Sequence, residues 1–81
     1  MWSSRRERIQ HDGPRTLWAQ IADDIRADIT SGQLRSGAKL PGILELADLY
    51  GVSDRTIRRV LLELGKDGTV TVVNGRGTYV K

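Results

Sequence analysis

A mainly α domain of three helices closed by a two-stranded β-hairpin is the fold class that this 81-residue sequence predicts. Three observations carry the prediction. Apolar residues recur at helical spacing in three separate segments. Glycine or proline punctuates each boundary between them. From Thr69 onward the chain turns to β-branched residues on either side of Asn74-Gly75, a strong hairpin signal. The length allows one small domain and no second.

Residues 1–14 hold few apolar groups and read as a flexible basic arm outside the core, with Arg5, Arg6, Arg8 and the lone His11. Trp2 is expected to be exposed there. Residues 15–81 form the domain. Pro14 suits the first turn of the opening helix, where its missing N–H costs nothing. Leu17, Ile21, Ile25 and Ile29 then recur every four residues with Trp18 and Ala22 beside them, one apolar stripe. Asp23, Asp24, Arg26 and Asp28 are placed on the solvent side, and Gly32 is the natural stop.

Gln33 to Leu40 reads as a loop, with room for a short extra strand near residues 39–40. Pro41 opens a shorter helix, Ile43 to Tyr50, whose inner face is Leu46, Ala47 and Tyr50. Gly51 terminates it in the left-handed conformation, and the Ser53 hydroxyl caps the next helix. Ile57, Val60, Leu61 and Leu64 follow at i, i+3, i+4 and i+7, the strongest amphipathic signature in the chain. This third helix is expected to end between Gly65 and Gly68. Thr69–Val73 and Thr78–Val80 are the strands, joined through Asn74-Gly75-Arg76-Gly77, where both Asn74 and Gly75 tolerate positive φ. Trp18 and Tyr79 are expected at the core or its rim.

Ala47, Gly51 and Ile57 meet the requirements of two helices crossing steeply over a short turn. These are a small residue at the approach, a residue allowed at positive φ, and an inward apolar anchor. That is the helix-turn-helix arrangement, in which the second helix reads the DNA major groove with its N-terminal residues. An ordinary αα-corner is the plainer alternative. With the hairpin added, the order is that of a winged helix. At about 100° per residue from Ile57, Arg55 falls near 160°, Arg59 near 200° and Arg58 near 100°. Two arginines therefore point directly away from the core and a third flanks them. Cations near a helix N-terminus oppose its dipole, and a phosphate or guanine edge relieves that conflict. Asp54 can serve the dipole, orient Arg55 or Arg58, or accept from a cytosine amino group.

Charge distribution agrees with this orientation. From Gly51 to Lys81 there are six basic and three acidic residues, which accounts for the whole formal net charge of +3; the first fifty residues hold seven of each. Cysteine is absent, which removes disulfides and thiolate zinc sites and fits a reducing cytoplasm. No apolar run approaches the roughly 20 residues that span a bilayer, and the N-terminus is no secretory signal. Scattered acidic residues and one histidine give catalysis, metals and cofactors no foothold. Gly75-Arg76-Gly77 allows close backbone approach and lets Arg76 enter a minor groove or hold a phosphate. It is not a nucleotide-phosphate fingerprint, since a strand follows.

From Leu17 to Val80 the chain resembles the N-terminal domain of the GntR family of bacterial regulators. The residues that carry the likeness are Leu17-Trp18-Ala19-Gln20-Ile21-Ala22, Ile29-Thr30-Ser31-Gly32-Gln33-Leu34 and Gly37-Ala38-Lys39-Leu40-Pro41. They continue through Leu46-Ala47, Gly51-Val52-Ser53, Thr56-Ile57-Arg58, Leu64, Asp67-Gly68 and Gly75-Arg76-Gly77-Thr78-Tyr79-Val80. The resemblance implies that Thr56 and Arg58 contact DNA and that Gly75 and Gly77 shape a DNA-touching wing. The candidate DNA-binding set is Ser53, Arg55, Thr56, Arg58 and Arg59 on a recognition helix over 53–65, with Gly75, Arg76 and Gly77 in a wing tip over 74–77.

Two departures stand out. Gly42, Ile43 and Leu44 replace the family's serine-glutamate-arginine, and Asp54 replaces another DNA-contacting arginine. Arg55 and Arg59 are the candidates to compensate. The implied partner is a double-stranded DNA operator, and the implied role is a transcription regulator, in the expected sense a repressor, in the cytoplasm. A small-molecule effector and homodimer formation belong to a C-terminal domain missing here, so this piece is expected to be mostly monomeric. The competing readings are a winged helix that binds an acidic protein, and a targeting domain of a larger aminotransferase-like fusion. A basic glycine-flanked tip is expected for DNA and unnecessary for a protein partner.

Overall fold

In the computed structural model, which describes residues 2–81, helices α1 (Leu17–Thr30), α2 (Ile43–Tyr50) and α3 (Asp54–Lys66) precede an antiparallel hairpin of β1 (Val70–Val73) and β2 (Gly77–Val80). A short 3-10 turn, Arg6–Arg8, lies before α1. The expected winged helix-turn-helix is the fold observed.

The helix ends follow local chemistry. Thr16, not Pro14, starts α1: its hydroxyl accepts from the Ala19 amide at 3.3 Å, so Pro14 lies outside the helix it was expected to open. A side-chain acceptor satisfies an N–H that proline could only leave alone. Gly51 ends α2 at φ 67°, and its own N–H bonds back to the Asp48 carbonyl. Ser53 caps α3, accepting from the Thr56 amide at 3.2 Å. Asp67 ends it between the two glycines, as expected.

The core sits where the three helices meet above the hairpin. Ile21, Ala22 and Ile25 of α1, Leu46, Ala47 and Tyr50 of α2, and Ile57, Val60, Leu61 and Leu64 of α3 are buried, with Val70 and Val80 from the strands. At β2 the expected extra strand appears as a bridge between Lys39 and Tyr79. The Leu40 amide donates to the Thr78 carbonyl at 2.8 Å, and the Val80 amide donates to the Ala38 carbonyl at 2.8 Å. Strand β2 is therefore held on both edges. The tip departs from the expected turn. Only Gly75 and Gly77 have positive φ there, and Asn74 does not. The Arg76 amide donates to the Val73 carbonyl at 3.0 Å. Negative φ followed by about +80° is the sign pattern of a type II turn.

The N-terminal residues pack against the domain, where the sequence reading placed an arm outside the core. Ile9 and Arg5 are buried, at 6% and 7% exposure, and Trp2 packs on the core instead of standing free. The physical reason lies on α1. Asp24 and Asp28, placed on the solvent side by the sequence reading, form one acidic seat one helical turn apart. Arg5 fills it: Nη1 donates to Asp24 at 3.0 Å and to the Tyr50 hydroxyl at 3.2 Å, and Nη2 lies 2.6 Å from Asp28. The Tyr50 hydroxyl donates to Asp24 at 2.6 Å, and burial, then this bond, raises its pKa above the ordinary phenol value. Removing one partner from such a buried ionic cluster costs about 3–5 kcal/mol, because a desolvated charge is left alone. A segment poor in apolar residues can thus be anchored by one guanidinium.

Two measurements follow from this packing. Leu64 is fully buried, so Leu64→Ala should lower stability by about 2–5 kcal/mol through lost transfer energy and a residual cavity; a urea midpoint matching the parent would contradict the assigned core. Acid should also weaken the fold. Hydrogen bonds from Thr69, then from Arg26 of α1, hold the Asp67 carboxyl below its usual range. A carboxylate depressed in the folded state contributes stability that is complete above its unfolded pKa of about 3.9 and is lost as pH falls through the folded value. Urea titrations should show stability dropping below about pH 4, and Asp67→Asn should make that drop smaller. An identical drop in the variant would remove Asp67 from the account.

Candidate nucleic-acid interface

Helix α3 presents two faces with different chemistry. Its rear carries Ile57, Val60 and Leu64, each fully buried. Its front carries Arg55 and Arg58, both exposed. Among the described residues Arg55 makes no ion pair or hydrogen bond. Arg58 lies 3.9 Å from Asp54, one turn earlier, with its side chain 65% exposed. Of the roles open to Asp54, the structure therefore shows it facing Arg58. Exposed pairs of this length contribute about 0–1 kcal/mol, so little opposes the turning of Arg58 toward a new anion.

Thr56 is half-buried, and its hydroxyl lies 3.1 Å from that of Ser53. The two side chains that follow the helix-turn-helix turn therefore order each other. Ser53 uses its oxygen as the cap, so its structural role is filled within the chain. Asp54 adds a negative group in the first turn, which suits the positive end of the helix dipole and offsets the arginines behind it.

Arg59 faces outward, as the wheel placed it, and is exposed, but its Nε donates to Glu63 at 2.9 Å and its guanidinium lies 4.4 Å from the centre of the Trp18 ring. An arginine stacked on an indole and paired with a carboxylate is already satisfied on both faces of its chemistry. It joins α3 to α1 and is not an idle cation. Trp18, expected at the core rim, is partly buried there and supplies the platform. The wheel missed this because the partner comes from another helix.

At the hairpin, Arg76 is exposed and its side chain has no partner among the described residues, while its carbonyl accepts from the Tyr79 hydroxyl at 3.3 Å. Gly75 and Gly77 take φ values of 78° and 122°, which L side chains adopt only with strain. At Gly77 there is a second constraint. A Cβ there would meet Lys39 Cε at 2.8 Å, so the lysine stem lies across the glycine. Lys39, not foreseen as a site residue, thereby joins Arg76 beside a groove of about 470 Å³ between the start of α2, Leu61 of α3 and the hairpin. Its signal in the sequence was only a cation two residues before Pro41. At the first departure from the family pattern, Leu44 is 75% exposed and presents no charge.

The structure thus brings together Ser53, Arg55, Thr56 and Arg58 at the start of α3 and holds Gly75, Arg76 and Gly77 at the hairpin tip. It draws Arg59 aside. Among the described residues no helix is long and apolar enough to cross a membrane.

Comparison with known proteins agrees with this geometry. Residues 17–80 match the family model described as bacterial regulatory proteins, gntR family. The mannosyl-D-glycerate transport/metabolism system repressor MngR of Escherichia coli (strain K12) is 41% identical over 69 residues, covering 85% of this chain and 29% of MngR. The chain spans less than a third of the length of such curated relatives. Among solved structures, YtrA from Sulfolobus acidocaldarius, a GntR-family transcription factor, superposes with a TM-score of 0.83 at 36% identity, over 90% of this chain and 77% of YtrA. The DNA-binding domain of AraR, solved in complex with operator ORX1, gives a TM-score of 0.79 at 31% identity, over 89% of this chain and 93% of that one. With its buried recognition-helix anchors, its glycine-shaped wing and a family match over 64 of its residues, the chain belongs to the GntR family of bacterial regulatory proteins.

Proposed function

We propose that this chain is the sequence-reading module of a transcription regulator and binds double-stranded DNA. The observation that carries the proposal is the outward pair Arg55 and Arg58 on a helix whose opposite face is locked into the core. Helix α3 enters the major groove, where a guanidinium can donate two parallel bonds to guanine O6 and N7. Thr56 contacts a phosphate or a thymine methyl. Arg76 holds the adjacent backbone or minor groove, with Gly75 and Gly77 allowing the approach. The operator-bound AraR domain, similar in fold, supports a DNA partner.

Repression is the sense we assign, in keeping with the repressor MngR. The protein acts in the cytoplasm, where its operator is. The regulator works as a homodimer with one module on each half of a near-palindromic operator. Effector binding belongs to a second domain, and the chain itself does no catalysis. A winged helix devoted to a protein partner has no need of a basic, glycine-flanked tip, and no observation favours a fusion to an enzyme.

Selection of duplexes from a random pool tests the reading directly. The chain should enrich a defined motif and shift the amides of residues 53–58 and 74–78 on binding it. Enrichment of no motif, or shifts confined elsewhere, would refute the assignment. With the selected duplex, Arg58→Ala should weaken binding by about 1–3 kcal/mol, the cost of one bidentate base contact. Equal losses on selected and scrambled DNA would demote Arg58 to a phosphate contact. Arg76→Ala should reduce the slope of log affinity against log salt by about 0.9, one counterion released fewer; an unchanged slope would take the wing off the backbone.

A further inference from the structure

Outside the residues matched by the family model, Trp2 to Ile9 run along α1 and reach the C-terminal end of α2, where the helix-turn-helix turn begins. The Arg5 amide donates to the Leu49 carbonyl at 2.7 Å. Its guanidinium, with the side chain only 8% exposed, joins Asp24 and Asp28 of α1 to Tyr50 of α2 and lies 4.0 Å from the Trp2 ring centre. Arg8 reinforces the same two carboxylates at 3.4 and 3.6 Å. Arg6 reaches further. Its Nε and Nη2 donate to the Asp48 carbonyl at 3.3 and 3.1 Å, and Nη2 also donates to the Asp48 carboxylate at 3.3 Å.

The stem of Arg6 covers Gly51, where an added Cβ would meet its Cγ at 3.0 Å. Two residues after Gly51 comes Ser53, the cap of the recognition helix. One short segment therefore grips α1, the last carbonyls of α2 and the left-handed glycine of the turn. Those donors satisfy the last carbonyls of α2, and they do so at the turn that leads into the recognition helix.

We propose that residues 2–9 are a strap that sets the pose of the helix-turn-helix turn, with Arg5 and Arg6 as positioning residues for selective DNA binding. The strap acts from behind. Its arginines face Asp24, Asp28 and Asp48, and on this proposal they act without touching phosphate. This inference rests on the DNA-reading function proposed above and gives that function a dependence on residues that the family pattern does not include.

The test uses the full 81-residue chain with a duplex that the parent has selected and a scrambled control. If the parent itself selects nothing, the DNA-reading proposal fails first, and separately. The triple variant Arg5→Ala, Asp24→Asn, Asp28→Asn removes the bolt together with the charges it would strand. Circular dichroism establishes that it folds. The ratio of affinities for selected and scrambled DNA should fall roughly 2- to 30-fold, the range for residues that couple to a site without touching the ligand. The salt slope on scrambled DNA should not fall below the parent value, since Arg8 is left without its two carboxylates.

A ratio equal to the parent's in the folded variant would leave the strap merely structural. A slope reduced by about one unit per lost cation would mean that the arm touches phosphate itself. Either result overturns the proposal. Should the triple variant not fold, Arg6→Ala serves instead, because that side chain is 57% exposed and its loss leaves the core intact. Its ratio must fall as well, and an unchanged ratio overturns the idea.

Discussion

The aliphatic seam on the rear of α3 is the contact on which every other feature depends. Ile57, Val60 and Leu64 are fully buried and Leu61 nearly so, against α1 on one side and α2 on the other. Burial of a large aliphatic side chain contributes about 1.5–3 kcal/mol, so four in one helix fix both its axial rotation and its depth. Rotation is what matters. With the seam inward, Arg55 and Arg58 have no choice but solvent. The hairpin then needs only to hang from the end of α3, and Val70, fully buried, ties it there.

The polar contacts divide into those that hold the frame and those left open. Arg26 bridges α1 to Asp67 at the end of α3, Arg59 bridges α3 to Trp18, and Arg5 bridges α1 to α2. Two guanidiniums thus cross between α1 and α3, and one joins α1 to α2. Arg55 and Arg76 bridge nothing. In a domain with 13 basic residues, composition says little about a partner, whereas this division of labour among the arginines says a good deal.

Much of this was legible from the residues in order. Gly51, Ser53 and the i, i+3, i+4, i+7 pattern of α3 have single-residue or periodic causes, and the fold respects them closely. The short pairing at Lys39 and the place of the hairpin tip were equally open to reading, though not the turn type. Three features were not. Two start signals competed at α1, and Thr16 prevailed over Pro14 because it supplies an acceptor. The contacts of Arg59 were not foreseen because a helical wheel ranks distance from the core and is silent about neighbours on another helix.

The arm was missed for a subtler reason. Asp28 falls about 20° from the buried Ile21 on the helical wheel, at the edge of the apolar stripe, where a carboxylate is drawn to a cation. That carboxylate at the edge of a hydrophobic face was the available signal, and an inventory of apolar residues in the arm could never reveal it.

The commitment of Arg59 has a practical side for anyone wishing to retarget this module. Randomising every outward-facing position of α3 would seem the natural library, yet position 59 also serves the scaffold: changing it removes the cation from the Trp18 ring and leaves Glu63 with Lys66 alone. A useful library varies 55, 56 and 58 and leaves 59 alone, which shrinks the search by one full position while sparing the hinge between recognition and support.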